Sequence, residues 1–423
     1  MKSISHLFRR YLINRQSIFL ISAFCIVCGL LGSRALISIG MIAWITVALI
    51  QTNTLKDIKL FFYSPELWSL SMVFFVYFFW GLHSNNIQDW LISLRIKLPF
   101  LAIPLAVVTM RKYNTAFYRL IFYFFFWTMA LSSILVFANY LIHYNTINEM
   151  MTHGKPIPVP YNHIRFNLML VFSIIIGLHL YSKRYYIFFK IERVLLLIIS
   201  IWFIVFLHVL SVRSGMMVFY VLVLVKVLNL LLKKAYRFWA IALLFLLISG
   251  PVIAYYSLDS FRNKIIYTQF DLKRYLNDES TKGTSDGRRL LSIQAGFKVF
   301  VHNPWFGVGV GDVRDQLTQV YHEKYPEIPD NFIVHNQYVF WLAALGLCGF
   351  SLMIFFIFFP LLYKKGYSNW LILSFYLVMA GSFLVEATIE AQIGTALFLF
   401  FIPLGLNYAV VSEKEVNEHN ILL

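Results

Sequence analysis

Apolar runs long enough to cross a bilayer recur from one end of this 423-residue chain to the other, and they leave few folds open. A helix needs about 20 apolar residues to cross a hydrocarbon core of about 30 Å, whereas a barrel strand needs about half as many and alternates. Twelve runs fit helices: 17–31, 35–50, 67–82, 98–110, 117–141, 166–180, 194–210, 216–232, 238–255, 338–362, 370–384 and 396–411. With 60% hydrophobic residues, 13% charged residues and a mean hydropathy of +0.71, a soluble globule would expose large apolar surfaces. The expected fold is an all-α polytopic membrane protein.

The first run lacks a small-residue cleavage site followed by a soluble domain and reads as a retained span. The fourth is short and interrupted by Pro99 and Pro104, which predicts a kinked or re-entrant segment. Lys and Arg gather before the first span (Lys2, Arg9, Arg10, Arg15), after the fourth (Arg111, Lys112) and between the sixth and seventh (Lys183, Arg184, Lys190, Arg193). Lys233, Lys234 and Arg237, then Lys364 and Lys365, fall on the same side when twelve spans are counted. Those ends are expected in the cytoplasm, with both termini. The net charge of +16 is met by anionic lipid headgroups at these loops and calls for no nucleic acid. Four regions follow: spans over 1–256, an extracytoplasmic loop over 257–336, spans over 337–411, and a cytoplasmic tail over 412–423.

The loop carries ten basic and ten acidic residues and predicts a folded cap with short helices, one from about Arg288 to Val301 and one beginning near an Asp312 N-cap. Cys25, Cys28 and Cys348 all lie in spans, where the CxxC spacing of the first two reads as packing. The run Gly307-Val308-Gly309-Val310-Gly311 has no strand-turn-helix context for a nucleotide and reads as a close-packed turn. H-E-x-x-H, clustered His and Cys, and D-x-D on the outer face are missing from the sequence, so neither a metal nor another cofactor is expected.

Ionisable groups collect at the outer rim. Arg165 opens the sixth span, Arg213 sits between the seventh and eighth, Glu386 and Glu390 lie between the eleventh and twelfth, and Arg288 and Arg289 belong to the loop. An arginine there can simply snorkel or pair with a glutamate. Several planar, permanently charged forks together also describe a pocket for a lipid-linked diphosphate. His335 ends the loop and opens a span beside Asn336, which can orient it or bind a sugar hydroxyl. An imidazole so placed can take a proton from a hydroxyl at neutral pH. His163, two residues before Arg165, is the second candidate.

These residues resemble motifs of the O-antigen ligase and polymerase superfamily of bacterial envelope glycosyltransferases. The matching pieces are Ser285-Asp286-Gly287-Arg288, Asn303-Pro304-Trp305-Phe306-Gly307-Val308-Gly309, and His335-Asn336-Gln337-Tyr338 followed by Gly346-Leu347. Lys97-Leu98-Pro99-Phe100 with Pro104, His163-Ile164-Arg165, Ser211-Val212-Arg213-Ser214-Gly215, and Glu386 with Gln392 and Gly394 extend the likeness over most of the chain.

The resemblance implies a GT-C-like membrane glycosyltransferase of the bacterial inner membrane. Such an enzyme moves a glycan from undecaprenyl diphosphate to an acceptor at the periplasmic face, without metal or nucleotide. In the ligase branch, favoured here, the acceptor is a sugar of the lipid A core. Carried over by position, His335 is the base and Arg288, Arg213 and Arg165 hold the diphosphate, which makes His335 and Arg288 the candidate catalytic residues; Arg289, Asn336, His163 and Glu386 are candidate substrate contacts beside Arg165 and Arg213. The family's loop motif has one arginine followed by an aromatic, whereas this chain has Arg288 and Arg289 in tandem and Ser292 in the aromatic region. The choice between the two arginines stays open.

Two other readings remain at this point. A polymerase would use the same chemistry with a second polyprenyl-linked glycan as acceptor. A flippase or transporter of lipid-linked sugars would need no chemistry, but would place its charges near mid-membrane and show paired halves.

Overall fold

The computed structural model describes residues 14–50, 54–277, 286–324 and 332–421. Helices account for nearly all of them, and no strand occurs among the described residues. In chain order the first half is α1 (Arg15–Leu30), α2 (Arg34–Leu49), α3 (Thr54–Phe62), α4 (Pro65–Gly81), α5 (Ile87–Val108), α6 (Thr115–Ile142), α7 (Tyr144–Thr152) and α8 (His163–Ser182). There follow α9 (Ile191–Leu210), α10 (Arg213–Leu231), α11 (Arg237–Ser257), α12 (Asp259–Leu276), α13 (Asp286–His302), α14 (Val313–Lys324), α15 (Gln337–Leu362), α16 (Trp370–Val385) and α17 (Gln392–Ile421).

Each of the twelve apolar runs falls on one of these helices. Among the described residues eight helices are long and apolar enough to cross a membrane, α3 with α4 makes a ninth candidate bent by 87°, and α1, α2 and α16 are shorter apolar helices. The chain is therefore a polytopic membrane protein. The proline-interrupted fourth run differs from expectation: it is the second part of α5, a single helix that starts at Ile87 and carries both Pro99 and Pro104 inside it. Its N-terminus is set by Asn86, whose side chain accepts from the Asp89 N–H at 3.0 Å.

Helix α8 and residues 393–409 of α17 occupy the centre and are almost wholly buried, whereas α11 leaves Phe238, Trp239, Phe245, Ile248 and Ile253 exposed at the edge. Lipid tails are as apolar as leucine, so the central helices are held by close packing more than by expulsion of water. Phe172 stacks on Phe401 at 4.0 Å, and Phe375 meets both edge-on. Where α10 crosses α8, a Cβ on Gly215 would stand 2.4 Å from the Asn167 amide oxygen, so only glycine permits that approach.

The polar segment folds as a cap. Its α13 and α14 lie where the sequence places them, but α12 was not foreseen, nor was α7 earlier in the chain. Asp312 precedes α14 as expected, yet its carboxylate does other work: it accepts from the backbone N–H groups of Asn85 and Asn86, at 2.9 and 2.7 Å, and so ties the cap to the α4–α5 turn.

The glycine-rich turn reaches deeper than a surface loop. Within α15, Gly346 breaks the helix with a left-handed φ of +63°. Residues 304–309 dock into the break: Val308 and Gly309 donate to the carbonyls of Ala343 and Ala344, and Leu347 and Cys348 donate to those of Pro304 and Trp305. A Cβ on Gly307 would stand 2.5 Å from the Ala344 backbone, which explains the glycine. Cys25, Cys28 and Cys348 are free thiols; Cys25 and Cys348 are half-buried, whereas Cys28 is exposed and does not pack inside the bundle.

Candidate active site

One end of the bundle gathers the starts of α8, α10 and α15, the end of α16 and the cap helices α12 and α13. Asn162 caps α8 by accepting from the N–H groups of Ile164 and Arg165, which fixes His163 and Arg165 in its first turn. Ser211, in a left-handed conformation with φ +53°, reverses the chain between α9 and α10 and sets Arg213 at the first position of α10. Asp271, fully buried on α12, accepts from the backbone N–H groups of Asp286 and Gly287 at 2.8 and 3.3 Å and so anchors the start of α13. Ser285 of the loop motif lies outside the described residues.

A cavity of about 210 Å³ lies between these elements, lined by His163, Arg213, Ser214, Lys264 and Arg289 among others. Arg213 pairs with Asp286 and donates to the Thr268 hydroxyl at 3.1 Å. Arg289 stands 3.9 Å from the other oxygen of the same carboxylate, so Asp286 holds both arginines at the wall. The Ser214 hydroxyl makes no hydrogen bond among the described residues. Of the tandem pair it is Arg289, not Arg288, that lines the cavity.

Arg165 pairs with Glu386 at 2.9 Å, joining the start of α8 to the end of α16. Arg165 Nε and Glu386 Oε2 are buried without a partner among the described residues. Buried polar atoms are ordinarily satisfied, so the pair retains a donor and an acceptor for a further contact.

His335 is joined to the arginines through Ser292. Its backbone N–H donates to the Ser292 hydroxyl at 3.1 Å, and that hydroxyl donates to the carbonyl of Arg289 at 2.7 Å. The residue standing where the family's aromatic is expected is thus the link between the two elements. The imidazole stacks on Phe332 at 4.6 Å, and its Nδ1 lies 3.0 Å from the Ile333 carbonyl. A proton on Nδ1 serves that carbonyl and leaves the Nε2 lone pair as acceptor. Burial, the Arg289 guanidinium and, more weakly, Arg288 hold the imidazole down at about 4, so it is neutral at pH 7. Burial and the neighbouring Arg213 and Arg289 likewise bring the Lys264 ammonium down to about 8.

Asn336 takes a structural position. Its side-chain oxygen accepts from the Val339 N–H and its amide donates to the Leu384 carbonyl, both at 3.0 Å, capping α15 and tying it to α16. Next to it, Gln337 enters a buried network beneath the site that the sequence reading did not assemble. Glu390 accepts from Lys97 at 2.9 Å, from Gln337 at 2.7 Å and from the Tyr77 hydroxyl, and Lys97 also donates to the Ile389 carbonyl. No group of three or more His, Cys, Asp or Glu side chains that could hold a metal ion occurs among the described residues.

The fold and this rim of cations define a polytopic helical membrane protein with a polar chamber at one end. Residues 195–354, which run from α9 across the cap to the middle of α15, match the model of the O-antigen ligase family. The match supports membership of the O-antigen ligase and polymerase superfamily and a ligase-type function in general; members of the matched family are glycosyltransferase-like ligases. No curated protein matches the chain.

Proposed function

We propose that the protein is an inverting glycosyltransferase that moves a glycan from undecaprenyl diphosphate to a sugar of the lipid A core, without metal. The observation that carries this reading is the single cavity on which Arg213, Arg289 and His163 converge, with His335 joined to Arg289 through Ser292. Around it, Arg165, Arg213, Lys264, Arg288 and Arg289 outnumber Asp271, Asp286 and Glu386, leaving a positive excess for a diphosphate diester with one charge on each phosphate. In this reading Arg165 and Glu386 flank the donor, and Arg289 takes the place first considered for Arg288.

The acceptor hydroxyl passes its proton to His335 Nε2 as its oxygen bonds to the anomeric carbon. On the opposite face the bond from that carbon to the diphosphate oxygen breaks, and the electron pair leaves with the carrier. Guanidinium groups aimed at that oxygen stabilise the growing charge. Donor binding beside Arg289 offsets the positive field that holds the imidazole near 4, so the base strengthens when the diphosphate is seated.

The site faces the periplasm of the bacterial inner membrane and both termini are cytoplasmic. This placement is supported by the turns at the opposite end of the bundle, which carry Arg111, Lys112, Lys183, Arg184, Lys233, Lys234, Lys364 and Lys365. The test combines purified protein in lipid nanodiscs with a labelled polyprenyl-diphosphate-linked glycan and either a lipid A-core acceptor or a second carrier-linked glycan. Glycosylated lipid A core, lost in His335→Ala, is the expected product. Growth of the carrier-linked chain alone assigns a polymerase, and absence of product together with passage of the labelled glycan across sealed proteoliposomes assigns a flippase.

A further inference from the structure

The chamber has a neighbour. A second cavity of about 170 Å³ shares Ser211, Arg213 and Lys264 with the first and is otherwise lined by Met216, Phe261, Ile265, Thr268 and Gln269. Its walls are mainly apolar, and Met216 lies one turn farther along α10 from the rim than Arg213. Lys264 stands at the junction of the two spaces. Its ammonium lies over the Tyr267 ring at 5.3 Å, and among the described residues no carboxylate forms an ion pair with it. Arg165, Arg213 and Arg289 all have a carboxylate within 4 Å.

A cation with no ion-paired carboxylate among the described residues, held between two other cations, raises the energy of the empty site; Asp271, whose charge reaches it, is already engaged by the N–H groups of Asp286 and Gly287. The arrangement makes physical sense if an anion completes it. An amphiphile with a phosphate head and a hydrocarbon chain matches both spaces at once: the head takes the polar chamber and the start of the chain takes the apolar slot. The phosphate at the junction is then the one esterified to the chain.

We propose that Lys264 is a substrate-binding residue that grips the lipid-side phosphate of a prenyl diphosphate, whose first isoprenyl unit enters the slot formed by Met216, Phe261 and Ile265. This rests on the proposed function, and it adds a contact from α12 and a polarity to the bound donor.

Binding of two probes to the purified full-length protein tests it: inorganic pyrophosphate, and a short-chain prenyl diphosphate. Lys264→Met is expected to weaken both by about tenfold, the loss of one charge-assisted contact, while Lys264→Arg retains them. Ile265→Trp, which fills the slot, is expected to weaken the prenyl diphosphate and leave pyrophosphate unchanged. Arg213→Ala separates the two levels of inference. Wild-type affinity in Lys264→Met alongside loss in Arg213→Ala overturns the role of Lys264 and leaves the diphosphate site standing. Unchanged binding in both overturns the site itself. Equal weakening of the two probes by Ile265→Trp overturns the assignment of the slot to the chain.

Discussion

Arg111, at the end of the bundle opposite the chamber, and Arg289, in the chamber wall, are both arginines beside a carboxylate, and they are used in opposite ways. Arg111 spends its whole fork locally: Nε donates to Asn407 at 2.9 Å, Nη1 to Ser64 at 2.6 Å and Nη2 to Glu66 at 2.5 Å. Arg289 stands at 3.9 Å from a carboxylate that it shares with Arg213, on the edge of an open space. The same contrast separates two lysines. Lys97 is fully buried and held by Glu390 and the Ile389 carbonyl, whereas Lys264 lines two cavities with no carboxylate paired to it among the described residues. Saturated cations close the bundle, and the chamber is built from cations whose neutralisation is incomplete.

Substitutions in the two groups are expected to fail in different assays. The largest effect is expected at the proposed base: His335→Ala lowers kcat by about 10²–10⁴ with little change in thermal stability, measured by product formation and by melting in the same nanodiscs. Lys97→Met strands Glu390 among buried groups, and an unfolding titration should register a loss of about 3–5 kcal/mol. Lys97→Met combined with Glu390→Gln should recover part of it.

A third effect is a displacement along the pH axis. The neutral imidazole is the active form, so kcat/KM falls as pH drops through the pKa of His335 in the free enzyme, about 4. Removing the positive charge in Arg289→Gln moves that acid limb up towards the ordinary 6.5. An acid limb already near 6.5 in the wild type would break the link between the arginine and the base. Asn336→Ala removes the α15 cap and should cost about 1 kcal/mol, with activity falling only through the tilt of the helix. Smallest of all, Lys264→Met should change stability by less than about 0.5 kcal/mol, because it leaves no carboxylate stranded.

The sequence made much of this legible. Spans were readable because apolar length is a local property, and α13 was readable from the recurrence of Leu291, Ala295 and Val299. From rim position the sequence reading expected Arg165, Arg213 and Arg288 to meet around His335, whereas the cavity is lined by Arg213, Arg289 and His163. What a rim position could not tell is whether a cation is saturated: Arg111 and Arg165 look alike in the sequence, and only partners 45 to 296 residues away separate them. Lys264 was missed because α12 is polar, with no apolar run to announce it. The mark left by Ser292 was its departure from the family pattern, although its meaning depends on the backbone of His335, 43 residues on. Pro99 and Pro104 misled in the other direction, since α5 carries both without stopping.

The interruption at Gly346 also bears on how the chain is made. Residues 304–309 leave the ribosome before α15, yet the carbonyls of Ala343 and Ala344 and the N–H groups of Leu347 and Cys348 find their partners only in that earlier segment. Backbone groups exposed to hydrocarbon cost several kcal/mol each. The span therefore cannot settle alone after insertion, and its maturation waits for a stretch of chain already translated to fold back and seat against it. Final assembly of the cap end is in this way coupled to completion of the membrane bundle.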